Sequence, residues 1–251
     1  MVPDVTLIPI DGLPEIKPGD DLAAMLVDGL RAAGRSFEPG DVLAIAQKVV
    51  SKSEGRIRKL EDIVPGPEAE RMAAESGKDA RGLQAVLDET VRIVRWQQGV
   101  LIVETKHGFV SASAGVDHSN AGAADTVILL PVDPDASAAR IRDGIRKRTG
   151  VDVPTVITDT FGRAWREGHM NVAIGISGLP ALRRYIGEFD PDGYEMRVTE
   201  IAIADEIAAA TELVMGKLDR RPAAIVRGLP MPEGSETARS YVRPHDKDMF
   251  R

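Results

Sequence analysis

The chain has 251 residues, with 32 Lys+Arg against 39 Asp+Glu and a formal net charge of −7. That balance argues against a general nucleic-acid or membrane-surface binder, and an aromatic content of 4% argues against stacking platforms for single strands. Cysteine is absent, which excludes a disulfide scaffold, a thiolate zinc site, an iron–sulfur cluster and a cysteine nucleophile.

A hydrophobic share of 43% and a charged share of 28% fit a globular chain able to bury a sizeable core. No signal peptide is expected at the N-terminus, no apolar run is long enough to span a bilayer, and the cytoplasm is the default location. In chain order, Val5, Leu7 and Ile8 predict a short strand that stops at Asp11-Gly12-Leu13-Pro14. Asp20-Asp21 opens a helix carrying Leu22, Met25, Leu26 and Leu30, with Gly34 as its stop. Asp41 to Val50 reads as a buried strand running into a polar segment, Ser51 to Arg56. Glu68 to Ser76 and Arg81 to Glu89 read as helices broken near Gly77, and Val91–Val94, Val100–Val103 and Val127–Leu130 as strands. Asp135 is the expected cap of a helix through Ile141 and Ile145 that ends at Gly150. Thr155–Thr158 and Asn171–Ser177 follow as strands, then an Ala-rich helix from Thr199 to Met215 and a last strand, Ala223–Val226. Past Pro230 a polar tail to Arg251 is expected to be partly mobile.

Strands look hairpin-linked rather than helix-linked, which favours α+β with largely antiparallel sheets over a doubly wound sheet. No repeat or linker divides the chain, so residues 1–251 are expected to form one interwoven unit.

Neither G-x-x-x-x-G-K-[ST] nor a strand-linked G-x-G-x-x-G is present, and the four histidines lack zinc spacing. Five polar clusters remain. Asp11 to Pro14 exposes backbone groups able to hold a ring or a phosphate, or is an ordinary turn. Ser51-Lys52-Ser53-Glu54-Gly55-Arg56 suits an anionic ligand, or is a solvated charged loop. In Ala114-Gly115-Val116-Asp117-His118-Ser119-Asn120, Asp117 and Asn120 can both meet a hard cation or a ribose, or the segment is an Asx-rich turn. Asp159 beside Thr158 and Thr160, at the end of a buried run, suits magnesium or manganese, with Arg163 and Arg166 near phosphate oxygens. A helix cap with surface arginines is the plainer alternative. Asp205-Glu206 faces a cation, or simply solvent. Taken together, oxygen-rich cation ligands, a lysine and several arginines fit phosphoryl transfer best.

Several ordered blocks resemble the coenzyme F420-0:γ-glutamyl ligase family. They are Ile8 to Pro14, Val49 to Arg56, Ala114 to Asn120, Leu129 to Asp135, Ile157 to Arg163, Ala173 to Gly178 and Ala204 to Ala208. The resemblance runs from near the N-terminus to about Gly228. It implies a GTP-dependent ligase that joins L-glutamate, through γ-linked amide bonds, to the carboxylate of the deazaflavin coenzyme F420 precursor. It also implies two divalent cations, manganese or magnesium, assistance from potassium, and an α+β unit that forms an intertwined homodimer. By position, the family's metal ligands fall on Asp117, Asp159 and Thr160. Its nucleotide contacts fall on Asp11, Gly12, Leu13 and Pro14, on Gln47 and Lys48, on Lys52, on Asn120, and on the segment Met215-Gly216-Lys217. Some members carry a metal-binding Glu where Lys217 stands, and some have Ser or Thr where Gln47-Lys48 stand. Some bacterial members are fused to a C-terminal flavin-dependent reductase; the chain is expected to be the stand-alone form.

On this basis GTP phosphorylates the precursor's carboxylate, with Lys52, Asp117 and Asp159 as catalytic residues. The amine of glutamate displaces phosphate from the acyl phosphate, and Arg163 or Arg166 holds glutamate's carboxylates. The competing readings are an amide-forming ligase acting on another carboxylate, and a non-catalytic nucleotide-binding regulator. No nucleic-acid or membrane partner is expected.

Overall fold

A computed structural model describes residues 4–117, 125–232 and 234–249. The central sheet has five strands in the order β1-β12-β2-β8-β9. These are β1 (Thr6–Pro9), β2 (Val42–Ala46), β8 (Thr155–Arg163), β9 (Arg166–Ser177) and β12 (Ala223–Arg227). Of its four neighbouring pairs only β2 and β8 run parallel, with Ala44 opposite Val156 and Ala46 opposite Thr158. The run Val42-Leu43-Ala44-Ile45 is buried on both faces, as a central strand covered on both sides requires.

Each face of the sheet is covered. On one side Leu43, Ile45, Ile157, Ile174 and Ile225 pack with α1 (Leu22–Ala32) and α5 (Pro134–Thr149). On the other, Val42, Ala44, Val156 and Val226 pack with α6 (Ile203–Met215). Asp21 caps α1 by accepting from the Ala24 N–H at 3.0 Å. The two helices on the first face approach closely at Gly144: a Cβ there would lie 2.6 Å from the Ala23 Cβ.

A second cluster lies beside this sandwich. It is built from α3 (Pro67–Ser76), α4 (Ala80–Asp88), the sheet of β4 (Thr90–Gln97), β5 (Val100–Thr105) and β6 (Val110–Ala112), and the pair β3 (Ile57–Lys59) and β7 (Thr126–Ile128). A short pair, β10 (Arg183–Arg184) and β11 (Glu200–Ile201), completes the chain's strands among the described residues. The architecture is α+β with mainly antiparallel pairing, as the sequence predicts. Among the described residues no helix is long and apolar enough to cross a membrane.

The local expectations need four corrections. The strand expected to Val50 ends at Ala46, and α2 (Gln47–Ser53) follows at once. Val49-Val50 favours a strand by composition, yet Gln47, Val50 and Ser51 fall on one buried helical face, and that burial wins. The helix α5 is capped by Asp133, which accepts from the Ala136 N–H at 2.9 Å, with Pro134 in the first turn. Asp135 instead accepts from Ile176 N at 2.7 Å and Ala238 N at 3.0 Å. Strand β8 runs on to Arg163 rather than ending at Thr158, because β9 pairs with it along its whole length. The residues expected to start a helix at Thr199 form β11 first, and α6 begins at Ile203.

The C-terminal segment is also held more firmly than its polarity suggests. Glu236 accepts from Ala181 N at 2.8 Å and pairs with Arg184, Ala238 is buried, and the Tyr241 hydroxyl donates to the Ala181 carbonyl at 2.9 Å.

Candidate functional site

The parallel pairing of β2 and β8 sets the carboxyl end of β2, Ala46, beside Thr158 in the middle of the longer β8, and a cleft of about 600 Å³ opens there. Neighbouring parallel strands leave their terminal residues pointing past the sheet into one crevice, which is where open sheets bind ligands. β2 delivers Ala46 to the cleft and the start of α2 delivers Gln47 and Lys48; β8 delivers Thr158, Asp159 and Thr160; β9 delivers Asn171. The C-terminal end of α6 and the residues after it add Glu212 and Met215 to Lys217. The segment before α1 adds Leu13 and Pro14.

Asp117 enters from the second cluster. It exchanges both backbone hydrogen bonds with Ile128, at 3.0 and 2.9 Å. The turn before it carries Ser113, Ala114 and Gly115 all with positive φ, so two non-glycine residues sit in the left-handed region. Such a turn costs conformational energy, which the packing of Ala114 and Val116 in the second cluster offsets. It aims Asp117 at α2, where its Oδ2 lies 2.6 Å from Lys48 Nζ.

Asp159 is half-buried on the floor of the cleft. Loss of hydration pushes its carboxyl up to about 7, and the nearby Asp117 charge adds to this. The Thr160 N–H, the Lys48 ammonium and the Gln47 amide pull the other way without winning. Beside it Thr158 Oγ1 is buried with no hydrogen-bond partner among the described residues, and Gln47 Nε2 reaches only toward the Asp159 carboxylate. Buried orphans of this kind, aimed at a cleft, mark where a ligand's polar atoms complete the network.

A four-member hydrogen-bond ring forms the opposite wall. Lys217 Nζ donates to Thr160 Oγ1 and lies 3.2 Å from Glu212 Oε1. The Thr160 hydroxyl donates to Asn171 Oδ1 at 2.7 Å, and Asn171 Nδ2 donates to Glu212 Oε2 at 2.7 Å. Thr160 and Asn171 meet because they are cross-strand partners in the β8–β9 register.

Among the described residues five cationic side chains line the cleft. Lys48, Lys217 and Arg221 are paired, with Asp117, Glu212 and Asp11 respectively. Lys52 and Arg220 have no ion-pair partner among the described residues. They are the side chains left to meet an anion.

Among the described residues no three carboxylates or imidazoles converge into a cation cage. What the cleft offers is two neighbouring carboxylates and a hydroxyl. That donor set suits magnesium or manganese, which bind through one or two carboxylates and complete their shell with water and phosphate oxygens. Asp117 and Asp159, with the Thr160 hydroxyl beside them, therefore fit one of the two divalent cations that the family resemblance implies.

The cleft thus gathers Leu13, Pro14, Gln47, Lys48, Lys52, Asp117, Asp159, Thr160, Met215, Gly216 and Lys217 of the expected set. It does not gather all of them. Asp11 is exposed and holds Arg221 at 2.6 Å, and Gly12 is exposed in the turn beside it. Asn120, with His118 and Ser119, lies outside the described residues. Arg163 and Arg166 flank the turn between β8 and β9, are exposed, and do not line the cleft. Nor does Asp205 face it: Asp205 accepts from the Ala173 N–H at 2.8 Å and lines a separate cavity of about 360 Å³, while Glu206 is exposed.

The structure adds residues that composition and spacing pass over: Asn171, Glu212, Arg220 and Arg221. One signal was present. Glu212 stands in the last turn of α6, where a negative charge runs against the helix dipole and needs a reason to be there.

The family model for F420-0:Gamma-glutamyl ligase matches residues 12–228. A protein of Methanopyrus kandleri named coenzyme F420:L-glutamate ligase is 44% identical over 255 aligned residues, covering 100% of this chain and 99% of the relative. Proteins of the same name from Methanothermobacter thermautotrophicus and Archaeoglobus fulgidus are 40% and 42% identical. They cover 98% of this chain and 99% and 96% of themselves. A match over most of the sequence, with the cleft's strands and α6 all inside it, leaves one conclusion: the chain belongs to the F420-0:gamma-glutamyl ligase family and is a ligase.

Proposed function

We propose that the chain joins L-glutamate to the terminal carboxylate of the coenzyme F420 precursor by a γ-linked amide bond, using GTP, and that it works as a homodimer. The observation that carries this reading is the meeting of Asp117 and Asp159, far apart in sequence, in one cleft that also holds the unpaired Lys52. A regulator that only binds nucleotide has no need of a second carboxylate beside the first.

A free carboxylate is a poor acyl donor to an amine. The precursor's carboxylate oxygen therefore attacks the γ-phosphorus, GDP leaves, and a mixed anhydride results. The nitrogen of glutamate then bonds to the carbonyl carbon, and phosphate departs with the oxygen it received. Asp117 and Asp159 would hold a divalent cation beside Thr160, and that cation would supply charge neutralisation on the phosphates. Lys52 adds a positive charge where the phosphates lie, and Arg220 stands at the cleft to meet a carboxylate or a phosphate. Thr158 Oγ1 gains the partner it lacks.

The experiment incubates the protein with the precursor, GTP, glutamate and manganese, with ATP in a parallel arm, and follows the product by mass spectrometry. The reading expects additions of one glutamyl unit that need GTP. Glutamylation of a different carboxylate only, or nucleotide binding with no glutamate-dependent phosphate release, would replace it.

A further inference from the structure

Lys217 closes the ring on the cleft wall, and its ammonium sits where a cation's oxygen ligands converge. Its Nζ is bonded to the Thr160 hydroxyl and paired with Glu212, and the remaining donors of the ring are spent on each other. The geometry that delivers it is built in. Gly216 adopts φ +62 with ψ 176, a backbone conformation that side-chain-bearing residues rarely enter, so the tight turn that points residue 217 back at β8 favours glycine.

The charges around this wall support the same view. Asp117, Asp159 and Glu212 face two ammonium groups, Lys48 on Asp117 and Lys217 on Glu212, while Asp159 has no salt bridge of its own among the described residues. A single divalent ion at Asp159 and Asp117 meets that remaining need. Without Lys217, Glu212 and the Thr160 hydroxyl would be left as a second oxygen set with a net negative charge, open to the cleft. That set suits a hard cation.

We infer that Lys217 is a resident cation. Its ammonium occupies the Thr160–Glu212 position, so each chain takes one divalent ion, at Asp117 and Asp159, and the second is replaced by a side chain. This rests on the reading of Asp117 and Asp159 as cation ligands.

The test counts bound Mn2+ by electron paramagnetic resonance, titrating the full-length wild type, K217R, K217A and K217M with Mn2+ alone. Circular dichroism confirms that each is folded. Lys217 is largely exposed, so the two neutral variants give independent chances of an intact fold. The expected result is one Mn2+ per chain for the wild type and K217R, two for K217A and K217M, and a return to one when E212Q is added to K217A. Two ions in the wild type, or an unchanged count in both neutral variants, overturns the inference. A tighter single site in those variants overturns it as well, because it shows only a lost repulsion. D117A is a separate arm: if it keeps the wild-type count, the reading of Asp117 fails, whereas the difference between wild type and K217A still judges Lys217.

Discussion

Lys48 and Asp117 meet across the cleft, Nζ to Oδ2 at 2.6 Å, and join the first turn of α2 to the strained turn that ends β6. The contact ties the central sheet to the second cluster at the place where the ligand is expected. Both side chains are about one-third exposed or less.

Removing Asp117 should therefore separate chemistry from folding. Asp117→Ala is expected to lower turnover by about 1,000-fold or more at saturating manganese, because it removes the proposed cation ligand. Its effect on unfolding free energy should stay near 1 kcal/mol, as expected for a partly exposed ion pair. Initial rates and thermal melts of the same preparation check both.

Asp159 carries the opposite trade. Its folded-state pKa, about 7, lies above its ordinary value of 3.8, chiefly through lost hydration. Between those values the native state holds a proton that the unfolded state has released. Stability without metal therefore falls as pH rises through that interval. Asp159→Asn removes the penalty. The variant is expected to lose turnover, yet to unfold about 1–2 kcal/mol less readily than wild type at pH 8, with little difference at pH 4. Thermal melts in chelator at the two pH values give the answer, and a variant less stable at pH 8 would contradict it.

Lys52 lines the cleft with no ion-pair partner among the described residues, so its charge is available to a ligand. Lys52→Ala is expected to raise the KM for GTP by about 10- to 100-fold, the loss of one charge-assisted hydrogen bond. Melting should be almost unchanged. Steady-state kinetics with GTP as the varied substrate is the measurement.

The packing of α1 on α5 offers a check far from the chemistry. Gly144→Ala places a methyl group 2.6 Å from the Ala23 Cβ. The gain in helix propensity is about 1 kcal/mol, and the cost of overpacking is about 1–3 kcal/mol. A net lowering of the melting temperature by a few degrees is expected, with GTP affinity unchanged.

Much of this fold is legible in the sequence because its strands are continuous apolar runs and its helices are capped. Val42 to Ala46 reads as a buried strand, and Asp21 and Gly34 bracket α1 correctly. The parallel pairing of β2 with β8 is not legible, because nothing local to Ala46 says that Thr158 lies beside it. That pairing creates the cleft. The helix α2 is hidden by Val49-Val50, whose β-branched side chains argue for the wrong element. In the site, Asp159 stands out in sequence, since a carboxylate after a buried run needs a reason. Asp117 is marked by the small residues before it. Asn171 enters only through tertiary structure, by the register of β8 on β9, and Glu212, hinted at by a charge set against the helix dipole, is brought to the site by its bond to Asn171. Arg163 and Arg166 mislead for the same reason: they follow Asp159 in sequence, but the strand carries them out to solvent.

The central claim is that two distant carboxylates hold a metal ion against the nucleotide, and one crystal answers it. The protein is crystallised with manganese and GDP, and anomalous scattering is recorded above and below the manganese edge. The account predicts a manganese peak within bonding distance of carboxylate oxygens of both Asp117 and Asp159, facing the phosphates. A peak that touches neither side chain, or ordered GDP with no manganese between them, would contradict it.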